Sequence, residues 1–141
     1  VTSATVVRGG VGASGREPIW DRREAWVVAL IVAHSVAVGV MLTFFPAWAT
    51  RFAGWESLDG FFFTRQGGIF HFVVAFAYTY EWLRLRGVTI LVVTKSTACL
   101  FLVAATVLGE AAWSVPFSAV GDGLMGLVAL AIHILASRDE E

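Results

Sequence analysis

Charge is scarce in this sequence: 15% of its 141 residues are Asp, Glu, Lys or Arg, while 57% are apolar. A water-soluble domain carries about 25% charged residues and a smaller apolar share, so this composition excludes an ordinary one. Cysteine is scarcer still. The single Cys99 rules out an intramolecular disulfide, and without a Cys-x-x-Cys or Cys/His spacing there is no zinc or iron–sulfur signature. Period-2 alternation of polar and apolar residues is missing from the apolar stretches, which removes the transmembrane β-barrel. The basic residues form no stripe and the net charge is −1, so nucleic acid is not an expected partner. No nucleophile elbow, no His-x-x-x-His pair on one helix and no glycine-rich phosphate loop occurs. No catalytic residue is therefore assigned, no metal site is expected, and the chain does not read as an enzyme.

What the chain does have is uninterrupted apolar length. Between Glu24 and Arg51 lie 26 residues without a charge. A hydrocarbon core of about 30 Å takes about 20 helical residues to cross, and four segments meet that requirement, residues 24–48, 58–85, 87–109 and 115–137. The expected fold is all-α, an integral membrane four-helix bundle of up-down-up-down topology, because short connections make sequential helices antiparallel neighbours. Residues 18–137 form the one membrane domain. Residues 1–17, which lack the apolar region of a secretory signal, read as a flexible tail, and 138–141 as a charged C-terminal tail. Pro18 at a first helical position opens a short interfacial lead-in to the first span.

Orientation follows from the arginines, which are retained on the cytoplasmic side. Arg8, Arg16, Arg22, Arg23, Arg84, Arg86 and Arg138 fall on one side, Arg51 and Arg65 on the other. Both termini are expected in the cytoplasm of a bacterium, with the helices in its inner membrane. Trp26 and Trp82 would then mark the cytoplasmic interface and Trp48, Trp55 and Trp113 the opposite one, since indole rings favour the headgroup level. The exoplasmic connection from Thr50 to Phe63 is the longest. Ser57 or Asp59 is expected to cap the second helix, and Trp55, Phe61, Phe62 and Phe63 form either an interfacial anchor or a surface for a protein partner.

The ionisable residues inside the spans are the informative chemistry, because a charge at mid-bilayer costs roughly 2.5–3.5 kcal/mol. Helical spacing puts Gly67, His71, Val74, Tyr78, Glu81 and Leu85 on one face of the second span, expected to point inward, and Val88, Val92, Lys95, Cys99, Leu102 and Thr106 on one face of the third. In the fourth, Ser118, Asp122, Gly126, Ala129 and His133 make a stripe whose small members admit a close neighbour. Counting depth along each helix predicts an outer contact of Arg65 and His71 with Asp122, and an inner contact of Glu81 with Lys95, with His133 nearby. These are either interhelical ties or the lining of a polar cavity for a headgroup, a proton or an ion. His34, mid-way along the first span, is a candidate contact for a haem or chlorophyll, or a hydrogen-bonding tie. By depth it pairs with neither His133 nor His71, so no cofactor is expected.

Four short spans, with Arg65-x-x-Gly68 opening the second, Lys95 in the third and Asp122 early in the fourth, resemble the DoxX-like group of small bacterial membrane proteins over about residues 24–137. The resemblance implies an inner-membrane protein, of a kind that often accompanies a larger redox or export system. Small extramembrane mass and the absence of an active-site motif point to a non-catalytic accessory subunit in a larger membrane complex, respiratory or photosynthetic, with the lipid bilayer and other membrane subunits as partners. The alternative is a stand-alone bundle that binds or moves a small amphiphile, a quinone or lipid, through the polar residues.

Overall fold

A computed structural model describes residues 19–55 and 60–138, with side chains from Arg22 onward. The tail at 1–17, Pro18, the expected caps Ser57 and Asp59, and residues 139–141 lie outside the described residues. The described chain is all-helical: α1 (Ile19–Phe44), α2 (Pro46–Phe52), α3 (Phe62–Tyr80) continued by a π-helical turn (Glu81–Leu85), α4 (Thr89–Val107) and α5 (Ser114–Arg138). Three stretches, Arg22–Phe44, Thr89–Val107 and Ser114–Arg138, are long and apolar enough to cross a membrane.

Helix ends depart from the expected spans for local reasons. The lead-in is not a separate segment, since α1 runs unbroken from Ile19 to Phe44. It stops before the expected 48 because Pro46 lacks an N–H and crowds the residue before it. Phe45 accordingly leaves helical space (φ −124°, ψ 46°), and Pro46 starts α2. The expected 50–63 connection is thus partly helical. The second long helix opens at Phe62 rather than 58, with Phe61 as N-cap and no side-chain cap. Its far end widens into the π turn, which closes on Arg86 in the left-handed region (φ 51°). One added residue per turn rotates the side chains at the end of the helix, so Leu85, expected on the inward face, is exposed. The ends of α4 and α5 fall within two residues of expectation.

Two antiparallel pairs make the fold: α1 lies along α3 and α4 along α5, α1 joins the pairs through α5, and α3 meets α4 only briefly. Val28 and Ile31 of α1, Tyr78 of α3, Val88 and Leu91 beside and in α4, and Ala129 of α5 form the core cluster. Elsewhere the outward faces carry exposed Leu, Phe and Val. One end collects Arg22, Arg23, Arg84, Arg86 and Arg138 with Trp26 and Trp82. At the other, Trp48 stacks on Phe52 at 5.0 Å, Phe52 meets Trp113 edge-on at 5.6 Å, and Trp113 Nε1 donates to the Phe52 carbonyl at 2.9 Å.

Candidate functional site: a polar cluster between the helix pairs

The site is built around Lys95. Its stem leaves α4 at the level of Gly126, where an added Cβ would lie 3.2 Å from Lys95 Cβ. Its ammonium donates to Asp122 Oδ1 at 2.6 Å. From Gly126 to Asp122 is one turn, about 6 Å along α5, a gap that the four-carbon stem covers. Both groups are withdrawn from the surface, with 5% and 16% of their side chains exposed. Cys99 lies a turn further along α4, its sulfur against Gly123. The Gly121–Gly123 stretch stays helical within α5, with Gly123 closely packed and open space beside Gly121.

From the other pair, α3 brings the half-buried His71, while His34 of α1 is exposed. Tyr78 of α3 is buried in the core cluster. His71 Nδ1 is buried with no hydrogen-bond partner among the described residues, as are Ser35 Oγ and Thr43 Oγ1. Ser35 adjoins His34 and is wholly buried. An unpaired polar atom in an apolar interior costs about 1–3 kcal/mol. The Lys95 ammonium can donate a hydrogen bond, the Asp122 carboxylate can accept one, and the Ser35 hydroxyl and His71 imidazole can do either.

Several expected pairings are corrected. Lys95 does not meet Glu81, and Asp122 makes its bond to Lys95 rather than to Arg65 or His71. Depth counted along each axis separated Lys95 from Asp122, because it placed the charge at the Cα and ignored the reach of the stem. Glu81, buried, accepts a hydrogen bond from the Ile90 N–H at 2.8 Å and so closes the first turn of α4. His133 stands apart from that residue and meets Glu24 Oε1 at 3.0 Å through Nδ1, tying α5 to α1. Glu24 was read only as the charge that ends the apolar run. Its depth, level with His133 near the arginine-rich end, is the signal that would have found it. Arg65 is exposed and turns to the surface with Phe62, Gln66 and Ile69. Trp55 and Phe63 line a surface cavity of about 260 Å³ with Leu42 and Thr64, Phe61 is half-buried, and Phe62 contacts Phe63 edge-on at 5.3 Å. No family of known proteins, no curated protein and no solved structure matches the chain.

Proposed function

We propose that α1, α3, α4 and α5 cross the membrane as an up-down-up-down bundle, and that the cluster around Lys95 and Asp122 binds the polar head of a small amphiphile such as a quinone or lipid. Phe62–Leu85 is about 36 Å of helix at 1.5 Å per residue, enough for a fourth span, and Arg65, Gln66 and Glu81 stand near its two ends. The arginine-rich end then faces the cytoplasm, so that both termini lie on the cytoplasmic side of the bacterial inner membrane. The observation that carries the binding reading is the set of buried, unpartnered atoms His71 Nδ1 and Ser35 Oγ contributed to the same interior as the Lys95–Asp122 pair. Pockets for small molecules are mostly apolar with a few convergent polar groups, and a polar head bound here would meet Lys95, Asp122 and His71. The short α3–α4 contact offers a lateral route from the acyl chains.

Extraction of protein purified in nanodiscs, followed by mass spectrometry and titration with a short-chain quinone, tests the reading. Wild-type protein retains or saturably binds one amphiphile, and His71→Phe weakens that binding at least tenfold while the protein stays folded. A wild type that carries no amphiphile and shows no saturable binding overturns it. The accessory-subunit reading rests on a different observation, the exposure of Phe62 (72%) and Phe63 (81%) beside the aromatic end, which suits a docking face on a larger respiratory or photosynthetic complex. Mild-detergent purification separates the two, since a chain that migrates alone ends that second reading.

A further inference from the structure

The apolar groove at the arginine-rich end has a charged mouth. Between α1 and the π turn runs a cleft of about 290 Å³, lined by Ala25, Ala29 and Ala33 on one wall and by Thr79, Trp82 and Leu83 on the other. Alanines at i, i+4 and i+8 share a helix face and leave room where larger side chains would fill the seam. Thr79 is turned back on its own helix, its hydroxyl donating to the Ala75 carbonyl at 2.8 Å, so the cleft is apolar along its length. Arg22 lies three residues before Ala25 on that face and is exposed. Across the mouth, the exposed Arg86 guanidinium sits 5.7 Å over the Trp82 ring, held there by the left-handed turn that ends the π segment. Neither arginine has a carboxylate partner among the described residues, since Glu24 is engaged by His133 and Glu81 by Ile90.

We infer that this groove is a specific site for an anionic phospholipid, with its phosphate between Arg22 and Arg86, near the Trp82 indole, and one acyl chain in the alanine-walled cleft. The complementarity is of two kinds in one place. The cleft is apolar where the chain would lie, and the mouth holds two cations without a carboxylate partner among the described residues where the phosphodiester would lie. A basic pocket at the bilayer surface recognises anionic headgroups in this way, with each basic side chain contributing about fivefold in affinity. The site is separate from the mid-span cluster and stands or falls independently of it.

Native mass spectrometry of the full chain, released from mixed phosphatidylglycerol and phosphatidylcholine nanodiscs, reads the preference. The wild type retains phosphatidylglycerol at least tenfold over phosphatidylcholine. Arg22→Ala and Arg86→Ala each lower that ratio about fivefold, Arg22→Lys preserves most of it, and Ala29→Trp, which fills the cleft without removing charge, lowers retention of both lipids. Equal retention of the two lipids by the wild type overturns the inference. So does an unchanged ratio in the Arg22→Ala, Arg86→Ala double variant, and so does an equal fall in Arg138→Ala, which would reduce the effect to diffuse positive charge.

Discussion

The two helix pairs solve one problem by different means. Along α1 and α3 the backbones come close: a Cβ on Gly68 would collide with Thr43 Oγ1 and stand 2.8 Å from Thr43 N and 2.9 Å from the Gly39 carbonyl. No hydrogen bond joins the side chains of these two helices among the described residues, and the polar atoms at their seam, Ser35 Oγ, Thr43 Oγ1 and His71 Nδ1, are left without partners. Along α4 and α5 the packing is similar in kind, with Gly123 and Gly126 against Cys99 and Lys95, but an ion pair crosses the seam. In lipid, where burial of apolar surface drives no association, both devices are effective: small residues for van der Waals contact and polar pairs for attraction. The unpartnered polar atoms thus lie on α1 and α3 and the ion pair on α4 and α5.

Breaking the charged seam should have the largest effect. Lys95→Met leaves Asp122 charged and unpaired, and unfolding followed by steric trapping in bicelles should show a loss of about 3–5 kcal/mol, most of it recovered when Asp122→Asn is added. Wild-type stability in Lys95→Met would mean that the pair holds nothing. In the packed seam, Gly68→Ala forces α1 and α3 apart and should cost about 1–3 kcal/mol by the same assay. Combined with Lys95→Met it should be additive to within about 0.5 kcal/mol, as for separate sites; strong coupling would show that the pairs are one unit. Removing the carboxylate in Glu81→Ala strips the Ile90 N–H of its acceptor, for about 1–2 kcal/mol, and amide exchange should accelerate in the first turn of α4 and not in α5. His133→Ala, which unties α5 from α1 at the arginine-rich end, should be smallest, about 0.5–1 kcal/mol.

Much of this architecture was legible from residue order. The ends of α4 and α5 were readable because Arg86, Glu110 and Arg138 bracket clean apolar runs, and hydropathy locates such boundaries well. The end of α1 was misplaced because hydropathy is blind to Pro46, whose effect is steric. The polar set was legible as a set, since any ionisable residue within an apolar run is conspicuous. Its pairing was not. Lys95 reaches a turn beyond the position of its backbone, so a count of residues along each axis could not match it to its partner, whereas Glu24 escapes notice only because it lies outside the uncharged run. The π turn left no mark in composition either, and it alone turns Leu85 outward.

The order of residues by itself determined that this chain is helical and apolar enough for a membrane, where its long helices run and which side chains are too polar for their surroundings, because all of these follow from hydropathy and from local backbone chemistry. Only the tertiary structure decided that Lys95 belongs to Asp122, Glu81 to Ile90 and His133 to Glu24, and that His71 Nδ1 and Ser35 Oγ have no partner among the described residues. Those assignments depend on the relative shift and rotation of packed helices. Differences of a few ångströms, set by where two glycines let backbones touch, are enough to redirect a charge from one neighbour to the next.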